Sequence, residues 1–146
     1  MAAPSAKRQS GDQQLLDTQL LLWLAITPMR LPKQLHAALM DRHTPFLFSV
    51  ASLWEVAIKT SLGKSGFQVD AGQLRQGLRR QGLLELAIDA AHCLAVQHLP
   101  WIHRDPFDRL LVAQARHDGL TLLTADRLLS GYGNPVIWVG SSEPGG

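Results

Sequence analysis

The apolar positions of the chain fall into short continuous runs that alternate with stretches of helical spacing. Leu15 and Leu16 lead straight into Asp17, Thr18 and a leucine-rich stretch to Trp23, the pattern of a short buried strand opening into a helix. Asp17 then stands at the carboxyl end of the strand. A second helix is expected over 32–41, and the apolar run 46–50 reads as a second strand feeding a helix over 52–62, which Gly63 terminates. A polar, glycine-spotted helix over 71–81 precedes a short apolar piece over 84–88. Asp89 is placed to cap a helix that reaches His98 and is closed by Pro100. Asp105 and Pro106 combine an N-cap with a proline at the first helical position, so a further helix should run to His117 and stop at Gly119. A strand is expected over 120–124, a helical turn from Asp126, and a last strand over 136–139 after Gly133-Asn134-Pro135. Strands alternating with helices predict an α/β domain of three layers, α/β/α, around a central parallel sheet.

Composition narrows this without changing it. A chain of 146 residues with 46% hydrophobic content supports one core, and only 18% charged residues argues against disorder. The expected domain spans 15–140, between small, polar tails over 1–14 and 141–146. Lys7, Arg8 and Asp12 supply +1 of the formal charge of +2, leaving +1 for everything from Leu15 onward. That is a weak footprint for a nucleic-acid binder, so charge alone does not suggest RNA. The single cysteine, Cys93, excludes an internal disulfide and, set in an apolar helical stretch, is expected to be a buried, inert thiol. The apolar region 15–29 is broken by Asp17, Gln19 and Pro28, too short for a membrane span, and no signal peptide is legible; the expected location is the cytoplasm.

The candidate chemistry lies in the acids. Open parallel sheets bind ligands beyond the carboxyl ends of their strands. Asp17 follows the first strand, Glu55 lies one turn into the helix after the second, and Asp126 follows the strand over 120–124, while Asp108 stands in the first turn of the helix capped by Asp105. Carboxylates converging there would repel one another unless a cation neutralised them, and an all-oxygen set favours a hard one, magnesium or manganese. One or two such ions activate water for phosphodiester hydrolysis. Most of these acids also have a purely structural explanation. Ser52 and Glu55 have capping-box spacing, Asp126 can cap a turn, Asp108 suits the helix dipole, and Asp105 is explained by its cap. Asp17, embedded among Leu15, Leu16, Leu20 and Leu21, is costly to bury without a partner or cation.

Other chemistries find no support. The six histidines show no HExxH or similar ligand spacing, so a zinc site is not expected, and no GxxxxGK[ST], GxGxxG or GxSxG element occurs. His103, Arg104 and Arg109 flank the acidic helix start, where they could touch phosphates or form ordinary solvated surface. Trp23, Trp54 and Trp138 read as core or subunit contacts.

Four segments carry a resemblance: Leu15-Leu16-Asp17-Thr18; Ser52-Leu53-Trp54-Glu55-Val56-Ala57-Ile58-Lys59; the run 103–115, which opens His103-Arg104-Asp105-Pro106-Phe107-Asp108-Arg109; and Leu122-Leu123-Thr124-Ala125-Asp126. In this order they resemble the PIN-domain ribonucleases, specifically the VapC-type toxins of VapBC toxin–antitoxin pairs, across nearly the whole chain. The resemblance implies that Asp17, Glu55, Asp108 and Asp126 form an acidic quartet around magnesium or manganese, with Thr124, Thr18 and Ser52 as steadying hydroxyls. Asp105 matches a position common in this subgroup, while Gln19 stands where the subgroup usually has histidine. The resemblance further implies RNA as substrate, a homodimer, and a cognate VapB-type antitoxin docking over the active site. Two rival readings are a receiver-like signalling domain, which needs a late lysine where this chain has none after Lys64, and a catalytically silent PIN-like module that acts by binding antitoxin, RNA or operator DNA.

Overall fold

A computed structural model describes residues 13–41, 43, 45–64 and 66–140. Of the tails expected from sequence, 1–12 and 141–146 lie outside the described residues. Five strands, β1 (Gln14–Leu16), β2 (Phe46–Ser49), β3 (Leu84–Leu86), β4 (Thr121–Thr124) and β5 (Val136–Trp138), form one sheet in the order β3-β2-β1-β4-β5. Every neighbouring pair is parallel. Gln14 pairs with Phe46 and Thr121, so the sheet begins a residue before the expected domain boundary.

The helices are α1 (Thr18–Ile26), α2 (Lys33–Met40), α3 (Val50–Ser61), α4 (Ala71–Arg80), α5 (Ala90–Val96) and α6 (Pro106–Asp118), with 3-10 turns at Pro28–Arg30 and Arg127–Tyr132. Successive strand residues face opposite sides of a sheet, and the central strands use both. Leu16, Phe46, Phe48 and Leu123 pack beneath α1 to α4, in one core with Leu20, Leu24, Val56 and Leu78. Leu15, Leu47, Leu122 and Val136 pack on the other side against Leu111, Val112 and Leu129. Apolar burial on both faces requires a helical layer on each, giving the α/β/α architecture expected from the sequence.

The chain runs outward from β1 through β2 to β3 and then returns to place β4 on the other side of β1. A crevice forms where the winding reverses, beyond the carboxyl ends of β1 and β4. Local signals fix how each strand leaves the sheet there. Asp17 caps α1 by accepting the Leu20 amide, and Asp105 caps α6 by accepting those of Phe107 and Asp108. Gly119 ends α6 in the left-handed conformation, at φ +70°.

One boundary corrects the sequence reading. The helix after β2 starts at Val50 and is capped by Ser49, whose Oγ accepts the Ala51 amide, so Ser52 and Glu55 are not a capping box. One burial expectation also fails: Cys93 is exposed because the short α5 turns His92 inward instead. Of the tryptophans read as core or subunit contacts, Trp23 is in the core, while Trp54 and Trp138 are 55% and 44% exposed and so are not core residues. Among the described residues no helix is long and apolar enough to cross a membrane.

Candidate metal centre

A cleft of about 400 Å³ opens at the switch point, and Asp17, Glu55, Asp108 and Asp126 all line it, with Thr18, Gln19, Trp23, Lys59 and Asp105. The four acids come from four elements: the end of β1, α3, the start of α6 and the end of β4. The topology therefore assembles what is scattered over more than a hundred positions.

Asp17 is the most constrained of them. It is 3% exposed, with Oδ1 accepting the Leu20 amide at 2.8 Å and Oδ2 accepting the Thr124 hydroxyl at 2.6 Å and the Ala125 amide at 3.0 Å. Burial pushes its carboxyl above the ordinary range, outweighing those three donors, and the Asp126 charge adds to the rise. Thr124 also accepts the Asp126 amide at 2.9 Å, so one hydroxyl links the acid that follows β1 to the acid that follows β4. On the other side of Asp17, the Thr18 hydroxyl donates to the Ser52 hydroxyl at 2.8 Å and ties α1 to α3. All three hydroxyl residues named from the sequence are thus buried at the site.

Glu55 is 6% exposed; Oε2 meets Lys59 Nζ at 2.9 Å, whereas the buried Oε1 has no hydrogen-bond partner among the described residues. Asp108 is pushed from 3.8 up to about 7, first by burial and then by the charges of Asp105, Asp17 and Glu55, with His103 pulling the other way. Only the i,i+4 spacing from Glu55 could have pointed to the Lys59 ion pair beforehand.

His103 takes a position no sequence spacing announced. Its Nε2 lies 2.7 Å from Asp126 Oδ2 and 3.6 Å from Asp108 Oδ2. One ligand atom from each of His103, Asp108 and Asp126 falls within 4.8 Å of the others, as does a second set formed by His92, His117 and Asp118.

The two arginines part company. Arg104 is exposed beside the start of α6. Arg109 is 3% exposed and donates to the carbonyls of Pro100, Val96 and Leu99 and to Tyr132 Oη, with Trp101 stacked on its guanidinium at 3.8 Å. Its donors are engaged inside the protein, so the expectation that it touches phosphate is corrected to a structural role: it fastens the 96–101 segment to α6.

The residues present fit a hard divalent cation. An orphaned carboxylate oxygen, a carboxyl pushed up to about 7 by burial and then by neighbouring acids, and a buried acid aimed into the same cleft mark a set of oxygen ligands whose charge such an ion balances.

Comparison with known proteins agrees with the architecture. Solved structures with the same fold include VapBC2 of Rickettsia felis bound to a DNA fragment from its promoter, at TM-score 0.64 and 15% identity over 88% of this chain and 98% of that one. Others are the DNA-bound VapBC of Salmonella typhimurium, at TM-score 0.65 and 15% identity over 86% and 97%, and VapBC-5 of Mycobacterium tuberculosis, at 0.56 and 13% over 88% and 98%. No curated protein matches the chain. The PIN domain family model matches residues 15–134, and the chain belongs to the PIN domain family.

Proposed function

We propose that the chain is a metal-dependent endoribonuclease, the toxin of a VapBC-type toxin–antitoxin pair, acting in the cytoplasm. The observation that carries the reading is the convergence of Asp17, Glu55, Asp108 and Asp126 on one cleft, with Glu55 Oε1 unsatisfied and Asp108 held near neutrality. Magnesium or manganese held by these four acids would supply Lewis acidity to a phosphodiester and ease ionisation of the attacking water.

The chain's own residues set the stage for that attack. Thr124 and the Ala125 amide fix Asp17 so that no rotamer search precedes binding. The Thr18–Ser52 pair holds α1 against α3 and keeps Glu55 opposite Asp17. Asp105 caps α6 and so sets the angle at which Asp108 enters the cleft. Arg104, exposed just before α6, offers a cation to RNA phosphate.

A VapB-type antitoxin as partner is supported by the fold shared with the VapBC complexes. A mainly apolar groove of about 470 Å³ adjoins the cleft, lined by Ile58, Leu62, Phe67 and Phe107 and sharing Glu55, Lys59 and Asp105 with it. A peptide lying in this groove would reach the acids. Association of the toxin as a homodimer belongs to the same reading.

Incubation of the purified chain with RNA and either magnesium or EDTA tests the proposal. Internal cleavage that needs the metal and leaves 5′-phosphate and 3′-hydroxyl ends is expected. Binding of RNA or antitoxin without cleavage under any divalent metal would instead favour the silent module.

A further inference from the structure

We propose that His103 is a positioning residue of the acidic cleft, whose ring holds Asp126 beside Asp108 while itself staying outside the ligand set. This rests on the cation reading of the site given above.

The hydrogen bonds of the ring fix its tautomer. His103 Nδ1 accepts the Asp105 amide at 3.1 Å, so its lone pair is committed there. A ring whose Nδ1 accepts carries its N–H on Nε2. That proton points to Asp126 Oδ2, 2.7 Å away. A nitrogen that binds a metal must present a lone pair, so His103 cannot act as a ligand through Nε2 while the Asp105 amide occupies Nδ1. The closeness of His103, Asp108 and Asp126 would otherwise read as a mixed nitrogen and oxygen site. The second cluster meets the same objection, because His92 Nδ1 accepts the Asp89 amide at 3.1 Å and its Nε2 faces Asp118.

The ring is held from behind. The His103 amide donates to Tyr132 Oη at 3.2 Å, and that hydroxyl also accepts from Arg109. Gly131 lies so close to Ile102 that a Cβ there would meet Ile102 Cγ2 at 3.0 Å, so the turn before His103 is seated directly on the 3-10 segment. Asp126 needs such support, since its side chain is 44% exposed and its Oδ1 is taken by the Leu128 amide. Without His103, the carboxylate would be held through Oδ1 alone.

Titration of Mn²⁺ into the metal-stripped full chain, with free Mn²⁺ read by electron paramagnetic resonance, tests this on wild type, His103→Ala, His103→Gln and Asp17→Asn. A glutamine amide can donate from about the place of Nε2, so His103→Gln should stay within about 3-fold of wild type while His103→Ala loses about 10-fold or more. Bound Mn²⁺ in the wild type should show no ¹⁴N coupling from imidazole. Wild-type affinity in His103→Ala, equal losses in both variants, or a ¹⁴N coupling would each overturn the proposal. The coupling needs no variant, so it decides even if His103→Ala fails to fold. Asp17→Asn separates the two claims: undiminished Mn²⁺ binding there contradicts the cation site itself, not the part given to His103.

Discussion

Thr124 and Asp17, 107 positions apart, are joined by a 2.6 Å hydrogen bond from hydroxyl to carboxylate, with Thr124 completely buried. The same hydroxyl accepts the Asp126 amide, so Thr124 sets the spacing of two acids that lie on different strands.

Thr124→Val keeps the shape and removes the oxygen. It leaves the Asp126 amide without its acceptor and Asp17 Oδ2 with the Ala125 amide alone. A loss of about 1–3 kcal/mol in stability is expected by urea denaturation, with Mn²⁺ affinity falling about 10-fold by calorimetric titration. Unchanged affinity would show that the hydroxyl does not order the site.

Asp108 and Asp17 are both raised in the folded state, so the metal-free fold retains protons that the unfolded chain releases. The contribution is therefore fully present below the unfolded value of 3.8 and is lost as pH rises towards about 7. For Asp108 the shift corresponds to at most about 4 kcal/mol. Relative to Asp108→Asn, the EDTA-treated wild type should lose stability between pH 5 and pH 8, and added magnesium should restore it at pH 8. Parallel pH profiles of the two proteins, followed by thermal melting, would contradict this account of the cleft.

Glu55 adds to the charge around Asp108 and leaves Oε1 unpaired. Glu55→Gln should lower the Asp108 pKa, read from its side-chain carboxyl resonance by NMR titration, and weaken Mn²⁺ binding. A pKa that stays put would mean that the Glu55 charge is not among the causes of the rise.

Arg109 and Arg104 should separate cleanly. Arg109→Met strips donors from three carbonyls, that of Leu99 buried and those of Val96 and Pro100 part-buried, and from the buried Tyr132 Oη, with an expected cost of about 3 kcal/mol or more in urea denaturation. Arg104→Ala should alter stability by no more than about 0.5 kcal/mol, and weaken RNA binding at low salt. The reverse pattern would return Arg109 to the RNA surface.

These cases show what was legible in the sequence. Asp17 could be read because a carboxylate between leucine pairs has few inexpensive environments. The layers could be read because strands buried on both faces are continuous apolar runs, such as 120–124. Glu55 was ambiguous because Ser49 and Ser52 are both acceptable caps, and only the end of β2 chooses between them. Arg109 was misplaced because residues 109–115 of α6 are all buried, leaving no polar stripe to say which way the guanidinium points. His103 could be read only as a neighbour of the acidic helix start, since its place against Asp126 depends on a turn that packs against Gly131 and Tyr132 some thirty positions later.

The central claim is that the acids clustered around Asp17 hydrolyse RNA with a divalent cation. Asp17→Asn tests it most directly, because asparagine can still cap α1 through the Leu20 amide while the buried charge is gone. Magnesium-dependent cleavage of RNA should fall to background in this variant while its thermal melting stays cooperative. Cleavage at the wild-type rate by a folded Asp17→Asn protein would contradict the account.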